Sequence, residues 1–438
     1  MKNSDTQYDI IIIGTGSGGG TIAQKLAPSG KRILILERGG FIPKEKENWD
    51  VTEVVSKGRY RTQEVWYDKD DQPFHPFTHY VVGGNSKMYG AASFRLRESD
   101  FQKNEHKTGI SPAWALKYQD FEKYYTEAEK LFSVHGVRGI DPTEPPTSSD
   151  YPFPAIPVED FTKELFENVR ATGLKAFPIP MAVRLTEDSQ TPDAETILGN
   201  FDGFPDPTEA KADSHVVGVR EALKYPNVTL LTNAFVYQLG TDESGKAINS
   251  VKVERNGQHE TYEAKIVVLA AGAINSAALM LRSANEMHPN GLSNSNDLVG
   301  RNYMTHINGC LIAYTPNKLN TSFFQKYFCI GDFYSTPKPL GEIQLMGKND
   351  PETVVGLGAE FFPDKSAEWL SVHSIDFWLT SEDLPQHENH VKLREDGSIQ
   401  LVYNREQNNV SAFEELNRKL KEIFVKLGEI DPALQEVY

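Results

Sequence analysis

The sequence predicts an α/β fold in two parts, a doubly wound parallel sheet and a mainly antiparallel sheet, and three observations carry that prediction. Residues 8–36 read strand, glycine loop, helix, strand. The run Ile10–Ile13 is apolar and β-branched at every position, the pattern of a strand buried on both faces. Past Gly300 the texture changes to aromatic-rich stretches with polar turns, as in residues 322–334 and 369–380. With 438 residues, 39% of them hydrophobic, the chain carries enough apolar material for a core larger than that of one ordinary domain.

In chain order, a strand over Tyr8–Ile13 leads through Gly14–Gly20 into a helix ending near Ser29, and Arg32–Leu36 is the next strand. Phe121, Tyr124, Tyr125, Ala128, Leu131 and Phe132 recur at helical spacing, as do Phe161, Leu165, Phe166 and Val169. Between these helices residues 141–157 are proline-rich and predict an extended crossing. Residues 187–208 are polar and rich in Pro, Gly and Asp, a long loop placed to lie over a cleft. A helix is expected over 211–223, a strand over 228–232, and a hairpin-like return to the sheet over 247–254 and 260–269. The last helix starts at Ser411, with capping-box spacing to Glu414, and stops at Gly428.

A net charge of −16 and the lack of any basic run exclude a phosphate-backbone partner, so no nucleic acid is expected. Two cysteines, Cys310 and Cys329, give no disulfide framework and read as buried small hydrophobes. The start, MKNSDTQYD, has no charged segment followed by a long apolar stretch, so neither signal peptide nor membrane span is expected and the protein reads as cytoplasmic.

Gly14, Gly16 and Gly19 form G-x-G-x-x-G between a strand and a helix, with Thr15, Ser17 and Gly18 filling the loop. Three glycines alone would be a weak signal, and their position makes it a specific one. The first permits a tight turn, the second a close approach of pyrophosphate to backbone, and the third close packing of helix on strand. Glu37, followed by Arg38, ends the second strand, where a carboxylate accepts hydrogen bonds from ribose hydroxyls and disfavours a 2′-phosphate. The site is therefore a dinucleotide site.

Two further clusters narrow the cofactor. In residues 79–95, Gly83, Gly84, Asn85, Tyr89, Gly90 and Ala91 make a small-residue turn that lets backbone approach a flat ring and a ribityl chain. Residues 267–280 form a strand that ends in Ala270, Ala271 and Gly272 and opens a helix. These clusters, in this order, resemble the glucose–methanol–choline (GMC) oxidoreductase family, from about Tyr8 to the end of the chain. The resemblance is most specific in the glycine loop and in Ala271–Met280.

The resemblance implies FAD as cofactor and oxidation of an alcohol, sugar or polyol at a CH–OH group, and it leaves the electron acceptor open. It implies a Rossmann-like FAD-binding domain from residues 1–110 and 206–305, connecting helices and a lid over 111–205, and an antiparallel substrate domain over 306–438. It also places Val236 against the adenine. Where many members carry Asn or a covalently attached His, this chain has Tyr89, which implies dissociable FAD.

The resemblance further implies a catalytic His in a C-terminal segment, and no such segment is recognisable before Tyr438. The chain is thus expected to be cut short before that segment, and an inactive FAD-binding remnant stands as the alternative to an enzyme. His387 and His390 read as solvated or strand-edge residues, His306 as a structural residue near the cleft, and His75 and His79 as neighbours of the flavin turn. None is assigned a catalytic role. No grouping has metal-ligand spacing. An NAD-dependent dehydrogenase is disfavoured, because no separate nicotinamide-domain catalytic set appears.

Overall fold

The computed structural model describes residues 6–107, 109–185, 201–315, 317–322, 326–335, 337–356, 365–405, 410–427 and 436–437. Two six-stranded sheets dominate it. Their strands are β1 (Gln7–Ile13), β2 (Ile33–Leu36), β3 (Ala176–Pro178), β4 (Val228–Leu231), β5 (Ala234–Thr241), β6 (Ile248–Arg255), β7 (Gln258–Leu269), β8 (Ile307–Tyr314), β9 (Phe328–Ile330), β10 (Glu342–Gly347), β11 (Ser374–Ser381) and β12 (Glu436–Val437). The helices used below are α1 (Ser17–Leu26), α2 (Tyr118–Leu131), α3 (Asp160–Ala171), α4 (Ala273–Arg282) and α5 (Val410–Leu427).

The first sheet has the order β4-β2-β1-β7-β6-β5. Its first four strands are parallel, with Ile13 opposite both Leu36 and Leu269. Strand β7 serves two partners: its start pairs antiparallel with β6, and its end runs parallel beside β1. The expected hairpin-like return to the sheet is this strand. The unbroken apolar character of β1 and β2 follows from cover on both faces. Ile11, Ile13, Leu34 and Leu36 pack toward Val236 and Leu279, whereas Ile10, Ile12, Ile33 and Ile35 pack toward Ala23 of α1 and Ala222. The chain is α/β with a Rossmann-like parallel unit, as the sequence predicts.

The second sheet, β12-β8-β11-β10-β9-β3, is antiparallel throughout. One face buries the apolar stripes of α3 and α5, with Phe377 of β11 between Phe328 and Phe424 at ring-centroid distances of 6.2 and 5.2 Å. The predicted apolar face of α5 is buried at Phe413, Leu416, Leu420, Ile423 and Phe424. The helix starts at Val410, so Ser411 lies inside it and does not cap it, and Gly428 falls outside the described residues. Cys310 and Cys329 are buried free thiols, and burial pushes both above their ordinary pKa.

Other expectations need correction. The helix expected over 211–223 begins only at Ser214, as one wide helical turn at His215–Val219 running into Arg220–Ala222, and Lys211 and Asp213 stay outside it, held by buried polar contacts. The stretch 369–380 opens as the end of a helix: Ser366 caps Ala367–Val372 by accepting from the Trp369 N–H, and β11 begins only at Ser374. Among the described residues of 322–334 the strand is Phe328–Ile330. Of the loop expected over 187–208, residues 187–200 lie outside the described residues, and Phe201, Phe204 and Asp206 are buried. No helix among the described residues is long and apolar enough to cross a membrane.

On the far side of β11, Asp376 is fully buried and accepts hydrogen bonds from the backbone and side-chain nitrogens of Asn349 at 2.6 and 2.7 Å. Burial pushes its carboxyl up from 3.8 to about 7. The folded state therefore holds this proton more tightly than the unfolded chain does, and the group's contribution to stability falls as pH rises from about 4 to about 7. Urea midpoints measured across this window are expected to lose part of their downward slope in Asp376→Asn. Phe377→Ala is expected to cost about 3–5 kcal/mol in the same assay, as for a large aromatic removed from a packed core.

Candidate functional site

The site grows from the end of β1. Gly14 has φ +100°, and a Cβ there would fall 2.4 Å from the Ala270 carbonyl oxygen, so only glycine lets the strand turn beside β7. A Cβ at Gly19 would fall 2.0 Å from the Gly14 carbonyl oxygen, which makes Gly19 the glycine that brings α1 onto the strand. Gly16 sits at the N-cap of α1 with nothing near its missing side chain. No side chain caps α1, and no acid lies in its first turn. Its terminal N–H groups and positive dipole end are thus left for an anion.

Glu37 is not a solvated strand end. It is 5% exposed, and its Oε2 accepts from the Thr15 N–H at 3.0 Å and from the Thr15 hydroxyl, while Oε1 accepts from the Gly39 N–H at 3.0 Å. Burial pushes its carboxyl up, and these hydrogen bonds act in the opposite direction. The Thr15 hydroxyl also accepts from the Gly83 N–H at 2.9 Å, so one side chain ties the first glycine loop to the second. Arg38 forms a two-bond pair with Glu64, 3.0 Å each, and stacks 4.0 Å from the Tyr80 ring centroid and 4.3 Å from that of Phe235. This stack makes a flat wall beside Val236.

Thirteen of the anticipated residues line one cavity of about 550 Å³: Gly14, Thr15, Gly16, Ser17, Gly18, Glu37, Arg38, Gly84, Asn85, Val236, Ala270, Ala271 and Gly272. Five others lie off it. Gly19 is under the loop, and Gly83 packs on Lys87 and His215 with its N–H on Thr15. Tyr89 turns away and donates to the Ala212 carbonyl at 2.8 Å. A Cβ at Gly90 would meet Lys326 and Asp202 at 2.6 and 2.7 Å, and Ala91 is buried with φ +57°. The turn therefore shows residues 84 and 85 to the cavity and residues 89–91 to the neighbouring core.

Sequence reasoning missed Tyr80, Phe235, Asn275 and Arg282 in the lining. It also missed the segment after Lys211. Lys211 is fully buried, its ammonium donates to the Phe201 and Phe204 carbonyls at 2.6 and 2.7 Å, and burial lowers it to about 8. Lys87 pairs with Asp213 at 2.8 Å, with side chains only 7% and 0% exposed. Lys87 and Asp213 are 126 residues apart, so no local pattern announces their pairing.

A second cavity of about 780 Å³ adjoins the first through Thr78, Asn85, Ala271, Gly272, Ala273 and Asn275. Trp66, Phe74, Phe77 and Tyr303 form its aromatic side, and His306, Glu382 and Asp383 its polar side. Asp383 is fixed by the Thr305 N–H at 3.1 Å and the Tyr403 hydroxyl at 2.9 Å. His79 lines the first cavity and lies 3.3 Å from Asn85 Oδ1, with its pKa lowered by burial. His75 is exposed near the Glu64 carbonyl, and His387 and His390 lie beside Glu388. Among the described residues no group of His, Cys, Asp and Glu is arranged to hold a metal ion.

A doubly wound sheet with this glycine loop, a buried acid at the end of β2 and an antiparallel sheet beside the cleft make up a flavoprotein-type, FAD-binding fold. The chain belongs to the GMC oxidoreductase family, whose profile matches residues 8–308. It is similar to the fructose dehydrogenase large subunit of Gluconobacter japonicus, 28% identical over 335 residues, covering 70% of this chain and 60% of that protein. It is also similar to 2-methyl-1,2-propanediol dehydrogenase of Mycolicibacterium austroafricanum, at 28% identity over 70% of this chain and 56% of that protein. A third relative is 6'''-hydroxyparomomycin C oxidase of Streptomyces lividus, at 30% identity over 68% of this chain and 54% of that protein. The chain thus spans between 54% and 60% of the length of these relatives.

Among solved structures, pyridoxine 4-oxidase from Mesorbium loti superimposes with a TM-score of 0.62 at 19% identity, over 98% of this chain and 82% of that one. A formate oxidase from Aspergillus oryzae RIB40 gives 0.63 at 14% identity, over 97% and 82%. These likenesses bear out the fold. GMC oxidoreductases are FAD-containing flavoproteins, and the uncapped start of α1, the open side of Gly16 and the buried Glu37 fit that cofactor. Gly14→Ala, which adds strain at positive φ and a backbone clash, is expected to lower FAD affinity by at least about tenfold in a fluorescence titration.

Proposed function

We propose that the chain is an FAD-dependent oxidoreductase that oxidises the CH–OH group of a small alcohol, sugar or polyol by hydride transfer to flavin N5. One observation carries this reading: the start of α1, Glu37, the Gly84–Asn85 turn and Ala270–Gly272 meet in one cavity, and that cavity opens into a second, part-aromatic and part-polar one. FAD, when bound, supplies the hydride acceptor.

The chain's own residues do the positioning. N–H groups at the start of α1 hold the pyrophosphate, Glu37 takes the ribose hydroxyls, and Val236 with the Arg38 stack holds the adenine. The second cavity joins aromatic surface to hydrogen-bonding groups at His306, Glu382 and Asp383, the combination that orients a polyhydroxyl ligand. The relatives named for a sugar, a diol and an aminoglycoside support this substrate class. In this reading residues 1–110 and 206–305 form the FAD-binding part, and residues 306–438 the substrate part, linked through 111–205.

The reading is tested by loading the purified chain with FAD and adding a panel of alcohols, sugars and polyols without oxygen. Bleaching of the flavin by a panel member supports the enzyme. A yellow protein that no member bleaches supports the inactive, FAD-binding alternative, and a chain that takes up no FAD overturns both. Tyr89 bonds to Ala212 and offers the flavin no attachment, so FAD is expected to stay in solution when the holoprotein is precipitated with acid. Yellow pellets would contradict dissociable binding.

A further inference from the structure

We infer that Ser214 is a positioning residue that aims the pyrophosphate-binding N–H groups of the glycine loop, an inference that rests on the FAD reading above. In a trans peptide the C=O and the following N–H point in opposite directions. The carbonyl of Thr15 shares its peptide with the Gly16 N–H, and the carbonyl of Gly16 shares its peptide with the Ser17 N–H. The Ser214 hydroxyl lies 2.8 Å from each of these two carbonyl oxygens. It has one proton, which the two acceptors share. With both carbonyls turned toward Ser214, the Gly16 and Ser17 N–H groups face the other side, where both residues line the cofactor cavity.

Ser214 is itself held from the second glycine turn. Its N–H donates to the Ser86 hydroxyl at 2.9 Å, and that hydroxyl donates to the Gly83 carbonyl at 2.6 Å. The preceding residue, Asp213, pairs with Lys87 and accepts from the Val216 N–H at 3.1 Å. The position of the hydroxyl is therefore set by the same turn that presents Gly84 and Asn85 to the cavity.

Space for this contact comes from glycines outside the G-x-G-x-x-G motif. A Cβ at Gly20 would fall 2.1 Å from Ser214 Oγ, and one at Gly218 would fall 2.7 Å from the Gly20 carbonyl carbon. Gly20, which the dinucleotide motif does not require, lets α1 press against the chain at 214–218. The Gly16 carbonyl also accepts from the Gly20 N–H at 2.9 Å, so if the hydroxyl is removed it is the Thr15–Gly16 peptide plane that loses its buried anchor and can rotate its carbonyl dipole toward the phosphates, which repels the anion.

The test compares FAD with riboflavin, which has the ring but no pyrophosphate, by fluorescence titration of the full FAD-free chain. Ser214→Ala is expected to weaken FAD binding roughly fivefold to tenfold, the scale of one hydrogen bond, and to leave riboflavin affinity unchanged. Gly20→Ala, which displaces the hydroxyl from the other side, is expected to do the same and provides a second, independent variant. An equal loss for both ligands would show a merely structural role and overturn the inference, as would Ser214→Ala with wild-type FAD affinity. A wild-type chain that binds no FAD would instead overturn the cofactor reading beneath it.

Discussion

The Thr15 hydroxyl joins three pieces of chain that backbone pairing has already brought side by side. It donates to Glu37 at the end of β2, accepts from the N–H of Gly83, and sits in the loop that leaves β1. Glu37, the first glycine loop and the second glycine turn are thereby fixed against one another. A hydroxyl is suited to this task because it can donate and accept at once. Close approach depends on residues without side chains: Gly14 against Ala270, Gly19 against Gly14, and Gly39 against Tyr80, where a Cβ would fall 1.6 Å from the carbonyl oxygen. The cavity follows from that framework.

The parts of this arrangement legible in the sequence are those governed by short-range rules. The β1–α1–β2 unit could be read because strand burial, glycine turns and helix starts each leave a local pattern, and the apolar face of α5 because its spacing is regular. Residues 211–223 misled for the opposite reason. Their composition suits a helix and residues 214–222 form one, but Lys211 and Asp213 are held by Phe201 and Lys87, and at this start buried polar bonds outweigh weak helix propensity. Trp369 looked like a strand residue because it stands among aromatics, yet Ser366 caps a helix there.

Within the site, the glycine loop and Glu37 were legible and the orientation of Tyr89 was not. A turn of small residues says that backbone comes close to something, without saying which side faces the ligand. Here Gly84 and Asn85 face the cavity, while Gly90 is small because Lys326 and Asp202 crowd it. The Arg38 stack was half legible: the arginine next to the acid was visible, but the aromatic rings on either side come from residues 80 and 235.

The contact of Gly20 with Ser214 and Gly218 bears on how separable the dinucleotide unit is. A fragment that ends after β2 would carry every residue of the recognised motif and still lack the serine on which two of its carbonyls rest. The motif is thus a local signature of a non-local device. Transplanting residues 7–36 onto another parallel sheet would transfer the glycines and leave behind what orients them, and drift at 214–218 would be constrained jointly with the loop rather than independently of it.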